Sequence, residues 1–205
     1  VETGGTTGGG TSGETGGTTG GGTSGETGGT TGGGTSGTTG GETGGETGSE
    51  TPSAPVNAAR IGDKQYETIA AAIDKATDSD TIELLCDVTE NITINKSLTL
   101  DLAGFKLTGT GTETVVKISG ENLNIIVKDG TITGGNTNYG GGVNIQNVAG
   151  TVTLDNCTIT KNEASNAGGG VYIASSGTVT IKNGKITENT AGNSGAGIYV
   201  TCGIN

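Results

Sequence analysis

Apolar residues in the second half of the chain fall into strand-sized sets that return about every 27 residues. One series is made of pairs around a single polar or aromatic residue: Ile92/Ile94, Val116/Ile118, Val143/Ile145, Val171/Ile173 and Ile198/Val200. A second series, Leu98/Leu100, Ile125/Val127, Val152/Leu154 and Val179/Ile181, repeats at a constant spacing of 27. A third centres on Leu107, Ile132, Ile159 and Ile186, with steps of 25, 27 and 27. Alternation at period 2 predicts strands with one buried face. Upstream, Tyr66, Ile69, Ala70, Ile73 and Ala76 fall at i, i+3, i+4, i+7 and i+10, which predicts one amphipathic helix over about residues 67–77. Asp78-Ser79-Asp80 ends it, and the period then switches from helical to strand-like.

Each strand resembles the strand one period later and not its neighbour in sequence. A sandwich of hairpins does not require that; a stack of equivalent coils does. Stacking like on like makes the strands parallel, with successive coils about 4.8 Å apart. The predicted fold class is therefore an all-β solenoid, a right-handed parallel β-helix. The helix at 67–77 would cap the N-terminal end of its apolar column, and the coils would run over 82–205.

The first 56 residues differ in kind. They are almost all Gly, Thr, Ser and Glu, and Thr3–Glu14 repeats without change as residues 15–26. Such a segment has too little apolar surface to offset the entropy of ordering it, so a disordered linker is expected there. The β-helix domain is expected over 57–205. The chain starts at Val1 and stops just after a strand, which leads to the expectation of a C-terminally truncated piece.

The run helix, Asp80-Thr81-Ile82-Glu83-Leu84, then Leu98-Thr99-Leu100-Asp101-Leu102 resembles the start of a pectin-lyase-like right-handed β-helix. The later coils resemble the repeats of polymorphic outer-membrane proteins and related bacterial surface proteins. Gly141-Gly142-Val143, Gly169-Gly170-Val171 and Gly195-Ala196-Gly197-Ile198 carry one motif of those repeats. Ile159-Thr160-Lys161-Asn162 and Ile186-Thr187-Glu188-Asn189 carry the other, with Ile in place of its Phe. The resemblance covers residues 60–205 and implies a secreted or cell-surface protein with adhesin-like binding. It also brings in a second function class, polysaccharide lyases or glycoside hydrolases built on β-helices.

Charge narrows the partners. Of the net charge of −11, the six Glu of the first fifty residues account for −6, leaving −5 on the rest. An acidic chain without basic patches does not suit nucleic acid. No stretch is apolar enough to span a membrane. There is no His, and the three cysteines have no Cys-x-x-Cys spacing, so neither a metal site nor a cofactor is expected. By strand parity Cys86, Cys157 and Cys202 all point inward as small hydrophobes.

Parity also sorts the outward residues. The first series presents Lys117, Asn144, Tyr172 and Tyr199 in one column. Tyr172 and Tyr199, with Asn144 beside them, are the candidate binding residues: two aromatic rings on a polar face offer a sugar platform, although cross-strand aromatic neighbours also stabilise a sheet on their own account. The second series presents Asp101, Lys128, Asp155 and Lys182, whose alternating charge suits register control. Asn156 and Asn183 at one turn, and Asn162 and Asn189 at the next, are expected as buried structural ladders. Asn91, Asn95 and Asn156 open N-glycosylation patterns. For catalysis, a lyase needs clustered Asp ligands and a basic proton acceptor, yet the sole Arg, Arg60, precedes the helix. A glycosidase needs paired carboxylates, yet Asp101 and Asp155 stand two coils apart, near 9.6 Å, with Lys128 between them. The expectation is a rigid extracellular spacer and binding module for a glycan or a cell-surface protein. The alternative is a carbohydrate-active β-helix enzyme.

Overall fold

In the computed structural model, residues 56–201 are described. The remainder of the expected linker, and Cys202, lie outside the described residues. The described chain is a parallel β-solenoid of about four turns. One sheet stacks Thr81–Leu84, Thr99–Asp101, Asn124–Thr133, Thr151–Thr160 and Thr178–Lys182. In it Ile82, Leu100, Val127, Leu154 and Ile181 align in one inward column. A second sheet stacks Ile92–Ile94, Val116–Ser119, Val143–Gln146, Val171–Ala174 and Ile198–Thr201. Like thus pairs with like, at the predicted period. The interior faces of these two sheets are mostly Val, Ile and Leu, and Leu100, Ile118, Ile125, Ile132 and Ile145 have no exposed surface. In the last coil burial falls away: Ile198 is 41 % and Val200 64 % exposed.

Three features depart from the expected elements. The second and third series fuse into single ten-residue strands, Asn124–Thr133 and Thr151–Thr160. Asp129 at φ 56° and Asn156 at φ 52° turn the corner inside them, and Asn183 at φ 56° does so one coil on. Asp and Asn tolerate this left-handed conformation better than other side-chain-bearing residues. A third parallel sheet, Asn136–Tyr139, Glu163–Ala167 and Thr190–Ala191, closes the coils. Its residues are polar or small, and its buried positions are Ala164 and Ala167, so no apolar series announces it. Finally, Ala59–Ile61 and Lys64–Tyr66 form an antiparallel hairpin whose first strand also pairs antiparallel with Thr81–Leu84. Tyr66 therefore belongs to a strand and not to the helix.

The helix itself is Ile69–Lys75, shorter than expected, because Ala76 is already extended at ψ 143°. Its buried face is Ile69, Ala72 and Ile73. The first coil grips both ends. Ile69 N–H and Ala70 N–H each donate to the Glu90 carboxylate at 2.9 Å, and Ala71 N–H donates to Thr68 Oγ1 at 3.0 Å. At the other end Lys96 Nζ donates to the carbonyls of Ile73, Asp74 and Ala76 at 2.8–3.0 Å. An anion at the first turn and a cation at the last match the helix dipole and satisfy its orphan backbone groups.

Asn162 is 1 % exposed and holds the next corner. Its Oδ1 accepts from Gly135 N–H at 3.0 Å. Its Nδ2 donates to the carbonyls of Ile132 and Thr160, both at 3.1 Å, and to Asn189 Oδ1 at 3.0 Å. Asn189 Nδ2 donates to the Ile159 carbonyl at 2.8 Å, which repeats the arrangement one coil up. Asn156 and Asn183 are different. Both are exposed, because at positive φ their side chains leave the corner outward, and they bond to carboxylates instead of to each other. Of the cysteines, Cys157 is buried, whereas Cys86 is only half-buried. Cys86 lies two residues past the end of Thr81–Leu84, where strand alternation no longer fixes its direction.

Candidate functional site

The outward column of the second sheet runs Thr93, Lys117, Asn144, Tyr172, Tyr199, each residue paired in register with the next. At about 4.8 Å per strand, its four steps span about 19 Å along the solenoid axis. The two halves of the column differ in chemistry.

The C-terminal half is aromatic. The Tyr172 and Tyr199 rings are stacked, 9° from parallel with centroids 5.7 Å apart. A third ring extends the row: Tyr139, from the third sheet, packs on Tyr172 at 5.0 Å with a 53° tilt. Because Tyr172 and Tyr199 turn their faces to each other, a sugar laid along the row meets ring edges and not a flat platform. Burial, followed by the neighbouring phenols of Tyr139 and Tyr199, raises the pKa of Tyr172 above its ordinary value. Asn166 Nδ2 donates to the Tyr139 hydroxyl, tying that ring to the coil above.

The N-terminal half is polar and concave. A groove of about 310 Å³ is lined by Asn91, Glu113, Lys117, Thr137, Asn144 and Gln146, among others. Asn144 is not the exposed contact that strand parity implies; it is 8 % exposed. The third sheet brings the Tyr139 carbonyl against it, and Thr137 of that sheet lines the same groove. Asn144 Nδ2 donates to the Tyr139 carbonyl at 2.7 Å, and no group among the described residues donates to Asn144 Oδ1. Asn91 is occupied with structure: its Oδ1 accepts from Thr110 N–H and its Nδ2 donates to Thr110 Oγ1, both at 2.9 Å. Neither Lys117 nor Glu113 makes an ion pair among the described residues.

On the first sheet, Asp101, Lys128, Asp155 and Lys182 align in register as one column. Lys128 bridges Asp101 and Asp129, and Lys182 reaches Asp155 at 3.1 Å. Hydrogen bonds from Asn156 and then Lys128 lower the pKa of Asp129; those from Asn183 and then Lys182 lower that of Asp155. Asp101 and then Asp129 raise that of Lys128. Asp129, Asp155 and Lys128 are thus held in their charged forms around neutral pH, which suits holding coils in register and not proton transfer. Arg60 of the N-terminal hairpin forms a two-bond pair, both at 2.8 Å, with Glu83 of the adjoining strand Thr81–Leu84. Among the described residues no three His, Cys, Asp or Glu side chains gather to hold a metal ion, and no helix is long and apolar enough to cross a membrane.

Strand pairing, coil period and outward columns together define the protein as a parallel β-solenoid. No family model matches the chain, and neither the curated proteins nor the solved structures contain a significant match.

Proposed function

We propose that the chain is a secreted or cell-surface module of bacterial type, a stiff spacer whose second sheet carries an adhesin-like face for a glycan. The observation that carries this reading is the unbroken outward column from the polar groove at Lys117 and Asn144 to the tyrosine row. Parallel coils hold its side chains at fixed intervals, so little conformational entropy is lost on binding. The groove presents hydroxyl, amide and charged groups and not the apolar centre of a protein interface, which favours a carbohydrate over a protein.

A glycan array probed with the full-length chain tests the reading. A set of glycans bound by the wild type and lost in the Tyr172→Ala/Tyr199→Ala variant is the expected result. An array without signal, together with capture of a purified surface protein, transfers the face to a protein partner. Release of shortened products from pectin or alginate, with or without calcium, replaces the adhesin by a carbohydrate-active enzyme.

A further inference from the structure

We infer that recognition resides in the groove, with Asn144 as its specificity-determining residue, and that the occupant is a neutral, hydroxyl-rich sugar unit of a longer chain. This deepens the glycan-binding reading and rests on it. The Asn144 amide cannot present either edge at will. Its Nδ2 is committed to the Tyr139 carbonyl at 2.7 Å, and rotating the amide by half a turn would set Oδ1 against that carbonyl, two acceptors face to face. Oδ1 is therefore fixed as a buried acceptor without a protein donor. A buried acceptor left unpaired costs free energy, and a ligand that supplies the donor recovers it. A hydroxyl is such a donor.

The groove's other groups select the class. Lys117, one strand below Asn144 in register, offers donors, and Glu113 offers acceptors. With one cation and one anion, the groove favours neither an acidic nor a basic sugar by charge, and the net −5 of residues 51–205 disfavours a polyanionic chain. Thr93, Thr137 and Gln146 supply further groups that both donate and accept, which fits vicinal hydroxyls. Lys117 lines the same groove and holds no ion pair among the described residues, so its ammonium is free to turn to a ligand hydroxyl. The tyrosine row continues the same column, so the next units of the chain run along its ring edges.

The test is titration calorimetry of the full-length chain with cellohexaose, xylohexaose and fully N-acetylated chitohexaose as neutral probes and a galacturonate hexamer as the acidic one. At least one neutral hexamer binds, and Asn144→Leu weakens it by about tenfold or more, the range of one buried hydrogen bond. Thr137→Val and Lys117→Gln, which leave the Asn144 amide in place, weaken it severalfold; they keep the test decisive if Asn144→Leu fails to fold by circular dichroism. Wild-type affinity in the groove variants, with loss in Tyr172→Ala/Tyr199→Ala, overturns this inference and leaves the broader binding reading standing. Binding of the galacturonate hexamer alone overturns the neutral class. Binding of none of the four overturns the inference, and an array without signal would separately remove the glycan reading beneath it.

Discussion

Gly142 and Asn162 meet across the interior: a Cβ built on Gly142 would stand 2.8 Å from Asn162 Nδ2. The same Cβ would lie 2.8 Å from Ile159 Cγ2 and 2.7 Å from the Gly170 carbonyl oxygen. The glycine of one short sequence motif thus makes room for both the Ile and the Asn of the other. One coil up the relation repeats, with Gly170 against Asn189 Nδ2 at 2.9 Å and Ile186 Cγ2 at 3.0 Å. Gly142→Ala is expected to cost about 1–3 kcal/mol through overpacking. Gly197→Ala is the control, because its Cβ meets only Ile186 Cγ2, at an ordinary 3.5 Å. Urea midpoints of the two variants should separate clearly; equal midpoints would show that the interior adjusts freely around Gly142.

Removing Asn162 tests the ladder itself. Asn162→Ala leaves the Gly135 N–H and the Ile132 and Thr160 carbonyls without this partner in a buried corner. At about 1–3 kcal/mol per unsatisfied buried group, a loss of roughly 3 kcal/mol or more is expected. Asn189→Ala should cost less, since Asn189 is only half-buried and water can replace part of its bonding. Chemical denaturation of both variants, with unchanged m-values, checks the order.

The clamp on the helix predicts a local effect. Lys96→Met removes three hydrogen bonds from the last turn, and Glu90→Gln removes the charge at the first turn. A charge at a helix end contributes about 0.3–2 kcal/mol. Hydrogen exchange should therefore accelerate at Ala72 and Ala76, whose amides close the helix onto Thr68 and Ala72. Exchange at Val127 and Leu154 should not change. Acceleration throughout would mean that the helix holds the coils as a whole and does not act only at their end.

The first-sheet charge column carries a pH dependence. Asp129 and Asp155 both titrate below their ordinary value of 3.8 in the folded chain. A depressed carboxylate contributes stability that is present above the unfolded pKa and is lost as pH falls through the folded one. The contribution is therefore complete at neutral pH and disappears progressively below about 3.8. Asn156→Gly/Asn183→Gly removes the leading cause of both shifts and keeps a residue suited to positive φ. The gap in urea midpoint between wild type and this variant should be open at pH 7 and narrow on acidification. A gap that stays constant to pH 2 would mean that the asparagines act only through the backbone.

How much of this was legible in the sequence depends on side-chain size. The first and second sheets announce themselves because Val, Ile and Leu return at fixed places. The third sheet does not, because Asn136–Tyr139 and Glu163–Ala167 bury only the small side chains of Ala164 and Ala167. Tyr139 was missed with it, although it completes the aromatic row and supplies the carbonyl that pins Asn144. Parity placed Asn144 on the outer side of its strand, as observed, but parity cannot register a neighbouring sheet folding over it. The partners of Glu90 and Lys96 are contacts between residues about twenty apart in sequence, and no periodicity encodes them.

The two described cysteines differ in burial. Cys157 follows the corner residue Asn156 and points into the core, where its Sγ donates to the Val127 carbonyl at 3.3 Å. Burial pushes its pKa from 9.0 up to about 12. The thiolate is the reactive form, so at pH 8 the folded chain should hold Cys157 almost wholly as an inert thiol. Cys86 is half-buried, with its Sγ 3.9 Å from the Asn57 carbonyl at the edge of the N-terminal hairpin, and opening of that hairpin suffices to expose it. Brief iodoacetamide treatment followed by peptide mass spectrometry should therefore label Cys86 well ahead of Cys157. In urea above the unfolding midpoint the two rates should converge. Prompt labelling of Cys157 in the native chain would mean that the corner at Asn156 opens without global unfolding, and the coils would then be separate cooperative units instead of one.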